Sequence, residues 1–258
     1  MTELIQITDT HLFTAPGGRL KGVDVDAGLD AVVAAVRRRH PRAAAVLLTG
    51  DTVHEETAGA YDRLAERLAP LSLPVYCLPG NHEDKALLAA RCRDSAFLRA
   101  DRQLVLGEWR VVLLDSARPP EPGGWLAPGE LDFLEACLAA DPERPTLVAL
   151  HHAPVSVASA WMDTMMVTNA EAFRAVVARY PQVRAVVFGH IHQAFDDRVR
   201  GVRYLGAPST CAQFLPGAAE SAVDDRPPGY RWLRLGRAGR VETEVERVPP
   251  PTVSTSPG

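Results

Sequence analysis

Residues 185–192 read Ala-Val-Val-Phe-Gly-His-Ile-His. The apolar run, β-branched at its centre, predicts a buried strand over Ala185–Phe188. Gly189 interrupts it, and His190 and His192 follow at i and i+2, a spacing that puts both imidazoles on one face of an extended segment. The same order of parts recurs upstream. Leu4–Ile7 is followed by Asp9-Thr10-His11, Ala45–Leu48 by Gly50-Asp51, Val75–Leu78 by Gly80-Asn81-His82-Glu83, and Leu147–Leu150 by His151-His152. The polar residues capable of chemistry therefore sit just past strands rather than on helix surfaces. In layered α/β proteins the loops beyond strand carboxyl ends are where sites form.

Segments of helical period lie between these strands: Asp26–His40, Thr57–Leu68, Asp84–Cys92, Pro128–Ala140 and Asn169–Tyr180. Arg37-Arg38-Arg39, just before Pro41, suits a helix C-terminus better than a nucleic-acid patch. Val111–Leu114 and Val202–Leu205 read as further strands. Tyr230–Leu235 and Arg240–Val248, joined by Gly236–Gly239, read as a hairpin. Pro122–Gly124 and Ser156–Thr168 read as loops. No repeat and no linker divides the chain, so one α/β domain over residues 1–248 is expected. Residues 249–258, opening on Pro249-Pro250-Pro251, read as a disordered tail. Periodicity by itself favours a single parallel sheet.

Composition excludes several classes. With 258 residues, 47% apolar and 23% charged, the chain is too long and too apolar to be disordered, collagen-like or a coiled coil, and it can bury a sizeable core. A net charge of −4 supplies no global field to attract nucleic acid or an anionic membrane. No apolar stretch is long enough for a transmembrane helix, and the opening MTELIQITDTH lacks the basic and apolar regions of a secretory signal. The four cysteines, Cys77, Cys92, Cys137 and Cys211, form no CxxC pair. They read as reduced thiols of a cytoplasmic protein, although an even count leaves one disulfide open. A small-molecule substrate is expected, with no nucleic-acid or membrane partner; nothing in the sequence fixes the oligomeric state.

Of eight histidines, six fall in the five strand-end loops: His11, His82, His151, His152, His190 and His192. Asp9, Asp51 and Asn81 accompany them. Taken singly the motifs are weak: Asp9-Thr10-His11 is as readily a turn, and His151-His152 a core pair. Together they form a mixed imidazole and oxygen set, which suits Zn, Fe or Mn and suits Cu(I) or an iron–sulfur cluster poorly. Seven of these nine residues as ligands would exceed one four-coordinate site. Two ions sharing a bridging carboxylate are the natural count. Such a pair, ~3.5–4 Å apart, holds a bridging hydroxide and clamps an in-line phosphoryl displacement.

The motifs run in order, at gaps of 40, 30, 70 and 39 residues from His11 through Asp51, Asn81 and His151 to His190. As a series they resemble the calcineurin-like metallophosphoesterases. The resemblance is closer still to the bacterial class III 3′,5′-cyclic-AMP phosphodiesterases. It extends to Gln6–Phe13, Trp161-Met162-Asp163, Asn169-Ala170-Glu171, Pro208–Phe214 and Pro228–Arg231, and spans roughly Leu4 to Val248. It implies a β-sandwich of two sheets flanked by helices, with a dimetal site at the strand ends. It implies that Asp9, His11, Asp51 and His192 hold one metal and that Asp51, Asn81, His151 and His190 hold the other, with Asp51 bridging. His82 is then the catalytic histidine that binds no metal and faces the substrate phosphate. His11, Asp51, Asn81, His82, His151 and His192 surround the substrate. The implied cofactors are two divalent ions, Fe(II) or Mn(II), with Zn(II) as an alternative. The implied reaction is hydrolysis of 3′,5′-cyclic AMP to 5′-AMP by a metal-bridging hydroxide, His82 giving a proton to the departing 3′ oxygen. One departure is Glu83, where the family often has Asp; its extra methylene leaves the orientation of His82 open.

Other polar or apolar features have plainer readings. His54 reads as a neighbour of the site or a surface residue rather than a ligand, His152 as a wall residue, and His40 as a helix-end residue. Asn169 reads as a helix N-cap, with a nucleotide contact as the alternative. Cys211 reads as a small buried residue, not a nucleophile. Trp161, Met162, Met165 and Met166 form an apolar cluster that suits a lid over a base, a dimer contact or core packing. Rival functions are a phosphomonoesterase, nucleotide pyrophosphatase or broad phosphodiesterase with the same metals. A DNA nuclease is disfavoured by the negative charge. A metal-binding scaffold without catalysis is disfavoured by the complete ligand set.

Overall fold

The computed structural model describes residues 1–249; of the expected tail, all but Pro249 lies outside the described residues. Two six-stranded sheets carry the fold. In the first, the spatial order is Val241–Arg247, Gly229–Leu235, Thr2–Ile7, Ala45–Thr49, Val75–Leu78 and Leu98–Arg99. The four strands from Thr2–Ile7 onward are parallel, and the C-terminal hairpin joins antiparallel. In the second, the order is Phe195–Val199, Val202–Gly206, Val183–Phe188, Thr146–Leu150, Trp109–Leu113 and Gln103–Leu106. Its four central strands are parallel and its two outer ones antiparallel.

The single parallel sheet favoured by periodicity is therefore corrected to two. The reason lies in burial. Leu4, Leu47, Val111, Leu147, Ala149 and Val187 pack between the sheets. Their strand neighbours Ile5, Val46 and Leu48 pack under one set of helices, and Val112, Val148 and Val186 under another. Strands buried on both faces read as continuous apolar runs, and such runs do not reveal which strands pair.

The helices α1 (Val25–Arg39), α2 (Ala58–Leu68) and α3 (Lys85–Asp94) cover the first sheet. Asp24, Thr57 and Asp84 cap their N-termini through side-chain oxygens, and Arg37, Arg38 and Arg39 fill the last turn of α1. The second sheet is covered by α4 (Pro128–Ala139) and, after the short α5 (Ala160–Asp163), by α6 (Ala170–Arg179). The helix α5 lies inside the segment expected to be loop throughout. The strands Leu98–Arg99, Gln103–Leu106 and Phe195–Val199 also escape the sequence reading; the first is only two residues long, and the last, FDDRV, is largely polar.

Register places the site. Ile7 lies beside Leu48, Thr49 beside Leu78, and Phe188 beside both Leu150 and Gly206. Loops leaving these strands thus start at a common level. Polar ties cross from sheet to sheet: buried Gln6 donates through Nε2 to Phe188 O at 3.0 Å, and Arg231 donates to Phe195 O and Gly206 O, each at 2.9 Å. Among the described residues no helix is long and apolar enough to cross a membrane.

Candidate metal centre

Three of the five strand-end loops turn sharply where a polar side chain is needed. Asp9, His11, Asp51, His190 and His192 all adopt positive φ, between 46° and 67°. That region is uncommon for residues other than glycine, and such strain persists where surroundings over-determine it, typically at functional sites. The loops also approach one another closely. A Cβ at Gly189 would strike Thr8 Oγ1, and one at Gly80 would strike Asp51 Oδ1. Glycine is required there for space.

The result is a buried cluster with two overlapping halves. Asp51 joins them: its Oδ1 lies 3.3 Å from His151 Nε2, and its Oδ2 lies 3.8 Å from His11 Nε2. On the His11 side, His11 Nε2 and His192 Nε2 are 3.2 Å apart, and His192 Nε2 is 3.3 Å from Asp9 Oδ1. On the His151 side, His151 Nε2 is 3.3 Å from Asn81 Oδ1, and the ring of His190 lies 5.1 Å from that of His151. The seven expected ligands are thus brought together in one cluster, in which Asp9, Asp51 and His151 also lie within reach of one another across the two halves.

The protonation pattern tests whether cations fit. His151 Nδ1 donates to Thr49 O at 2.8 Å, and His192 Nδ1 donates to Ala212 O at 2.7 Å. In the neutral rings each Nε2 therefore keeps a lone pair. Those lone pairs face carboxylate oxygens, a carboxamide oxygen and another imidazole nitrogen. Acceptors facing acceptors in a buried place repel unless a positive charge lies between them. His11 Nδ1 and His190 Nε2 are buried with no hydrogen-bond partner among the described residues. Nitrogen and oxygen donors without a thiolate fit a borderline divalent ion. Without a bound cation that positive charge comes from a proton: burial opposes charge on His151, yet the Asp51 carboxylate outweighs it and lifts its pKa to about 10. Burial lowers His11 and His190 to about 3, so both rings are neutral donors. Burial would raise Asp9 and Asp51, but His192 beside Asp9 and His151 beside Asp51 hold both carboxylates ionised.

A second layer fixes these groups. Thr8 Oγ1 donates to Asp9 Oδ2 at 2.7 Å, and the His190 amide donates to the same carboxylate at 3.0 Å. Glu83 is buried and accepts from the amides of Asp51, Thr52 and Gly80 and from Thr52 Oγ1. Burial and the Asp51 carboxylate push its pKa up to about 7, against the pull of these donors. The longer side chain therefore binds the Asp51 and Gly80 loops together. His82 is held independently, its amide donating to Asp51 Oδ1 at 3.0 Å.

His82 packs edge-on to His11 at 5.1 Å and stacks on His54 at 5.5 Å, so His54 belongs to the rim of the cluster rather than to open surface. His152 lines the far side, its ring 4.6 Å from His190 and its Nδ1 2.9 Å from Ser116 Oγ. Asn169 occupies the N-cap position of α6 without capping it; its carboxamide instead exchanges two hydrogen bonds with the backbone of Leu126. Cys211 is buried, its thiol raised to about 12 by burial, which fits a packing residue. His40 ends α1, bonded to Glu3, Tyr230 and Glu246. A cavity of about 230 Å³ adjoins the cluster. Leu20 and Lys21, at the turn of a short ribbon that the sequence reading missed, help to line it.

The Calcineurin-like phosphoesterase family profile matches residues 3–194, most of the chain and every loop of the cluster. This chain belongs to the calcineurin-like phosphoesterases. Within that family the phosphoesterase is 41% identical over 246 residues to the 3′,5′-cyclic adenosine monophosphate phosphodiesterase CpdA of Pseudomonas aeruginosa, covering 95% of this chain and 89% of the relative. It is 38% identical over 258 residues to a 3′,5′-cyclic-nucleotide phosphodiesterase of Nostoc, covering 98% and 97%. Among solved structures, a dimetal phosphatase from Danio rerio shares the fold with a TM-score of 0.64 at 19% identity, covering 96% of this chain and 99% of that one.

Proposed function

We propose that this phosphoesterase hydrolyses 3′,5′-cyclic AMP to 5′-AMP. Asp9, His11, Asp51 and His192 hold one divalent ion; Asp51, Asn81, His151 and His190 hold the second. Iron(II) or manganese(II) suits the donor set, with zinc(II) as the alternative. The chemistry rests on one observation: the two oxygens of Asp51 face different halves of the cluster, at 3.3 and 3.8 Å from their imidazoles. The substrate rests on near-full-length likeness to proteins bearing that activity in their names. Four buried, free cysteines suit a reducing compartment, and we place the enzyme in the cytoplasm.

Bound ions supply Lewis acidity, acidifying a water and taking up charge on the phosphoryl oxygens. The protein's own residues do the rest. Thr49 O and Ala212 O fix the tautomers of His151 and His192, so that each presents Nε2. Asp51 neutralises charge in both halves. His82, beside the cluster but outside it, is oriented by His11 and His54 and gives a proton to the departing 3′ oxygen.

The test is turnover of cyclic AMP with Mn(II) or Fe(II) supplied, against cyclic GMP, bis-p-nitrophenyl phosphate and p-nitrophenyl phosphate. The expected product is 5′-AMP, and cyclic AMP is expected to be the best substrate. Release of 3′-AMP, or a preference for the monoester, refutes the assignment. His82→Ala is expected to keep both ions and lose roughly 10²–10⁴-fold in kcat, the scale of a general acid.

A further inference from the structure

The cavity beside the cluster has two chemically different halves. One side is His11, Asp51, His54, His82, His190 and His192. The other is Leu20, Trp161, Met162, Met165 and Phe214, with Lys21 at its edge. A phosphodiester group needs only the first half. The second is an aromatic and thioether wall built directly onto a metal-ligand candidate: Phe214 stacks on His192 at 4.5 Å and 26°. Trp161 meets Phe214 edge-on at 5.0 Å and 87°. Met162 is buried in the core beneath, whereas Trp161 and Met165 are only partly buried where they border the cavity. The indole Nε1–H of Trp161 is shut off from water and finds no acceptor among the described residues.

The wall is also preformed. Asp163 accepts from the Val157 amide at 2.8 Å and from Ser156 Oγ at 2.6 Å, and Thr164 Oγ1 donates to Trp161 O at 2.6 Å. The Thr168 amide closes the segment on Gly124 O at 2.7 Å. A ligand that rests on such a surface binds without first ordering it. Aromatic faces and methionine sulfur favour a planar, polarisable partner.

We propose that Trp161, Met165 and Phe214 form a platform for the nucleobase, and that this platform sets the preference for a nucleotide over other phosphodiesters. The proposal rests on the cyclic-nucleotide reading above and assigns a role to the half of the cavity that reading leaves unused. The base packs against the apolar wall, and the cyclic phosphate faces the cluster.

The experiment compares kcat/KM for cyclic AMP with that for methyl β-D-riboside 3′,5′-cyclic phosphate, which has the same reacting ring and no base. The readout is the ratio of the two in the parent, Trp161→Ala, Trp161→Phe and Met165→Ala. Base stacking supports a fall in the ratio of roughly 5- to 150-fold for Trp161→Ala. A smaller fall is expected for Trp161→Phe, which keeps a ring, with the loss in KM rather than kcat. A parent that turns over cyclic AMP, paired with a Trp161→Ala variant whose ratio is unchanged, overturns the platform while leaving the substrate reading intact. A parent that cleaves the base-free diester but not cyclic AMP overturns both.

Discussion

Glu83→Gln separates a structural brace from a catalytic group. The carboxylate is buried and each oxygen has two donors: Oε1 takes the amide and hydroxyl of Thr52, and Oε2 takes the amides of Asp51 and Gly80. Glutamine keeps one acceptor oxygen and puts an NH₂ donor in place of the other. Turned toward Asp51 and Gly80, that donor leaves two buried amides unpaired. Turned toward Thr52 it leaves one, because the hydroxyl can rotate to accept. Even the milder orientation leaves one buried amide donor unsatisfied, about 1–3 kcal/mol, while the charge it removes is one that burial and Asp51 already disfavour. The expected cost is about 1–3 kcal/mol. For a chain of this size that lowers Tm by roughly 2–12 °C. Denaturant melts and thermal scans on the metal-free protein measure it directly. Cyclic AMP turnover at saturating metal, well below the melting point, should fall less than in His82→Ala, because the brace touches no reacting atom. A Tm within 1 °C of the parent, in a variant that has lost turnover, would refute this reasoning and make Glu83 a participant in the chemistry.

Three other outcomes are expected. Asp51→Ala should lose at least one of the two ions by elemental analysis; two ions per chain in that variant would sink the bridging assignment. Asn169→Ala should cost about 1–3 kcal/mol, the worth of its two bonds to Leu126, with kcat unchanged; a drop in cyclic AMP turnover at unchanged stability would make Asn169 a nucleotide contact instead. Glu246 should govern part of the acid limb of stability. Burial opposes its charge, but Arg39, Tyr230 and His40 hold its pKa below the ordinary 4.5. A lowered carboxylate contributes fully above its unfolded value and loses that contribution as pH falls through the folded one. Glu246→Gln should therefore lose less stability on acidification than the parent, and equal slopes would contradict this.

The five site loops are legible in the sequence because each joins an apolar run to histidine, aspartate or asparagine, a pattern that local chemistry alone makes visible. Two helix starts are legible as well, Thr57 and Asp84 opening the expected segments and capping the helices observed there, whereas the first helix begins at Val25, capped by Asp24, ahead of the expected Asp26. What sequence pattern does not reveal is pairing. Strands such as Leu147–Leu150 and Ala45–Leu48 are apolar on both faces, so nothing in them says that they belong to different sheets. Nor does the sequence show that Asp9, His11, Asp51, His190 and His192 take left-handed backbone, since glycine is the usual signal for it and none of these is glycine. Leu20 and Lys21 reach the cavity through a two-residue ribbon whose residues carry no motif. His54 and Phe214 gain their meaning only from rings distant in the chain.

The two halves of the cluster do not map onto the two sheets. Asp9, His11, Asp51 and Asn81 leave strands of the first sheet; His151, His190 and His192 leave strands of the second. Each of the two proposed ion sites therefore draws donors from both sheets, so loading either would tie the sandwich across its seam. A polypeptide cut between Arg99 and Gln103 would leave Asp9, His11, Asp51 and Asn81 on one fragment and His151, His190 and His192 on the other, which also keeps the C-terminal hairpin of the first sheet. Under the proposed ligand assignment, cation uptake by such a mixture would report the two fragments finding each other.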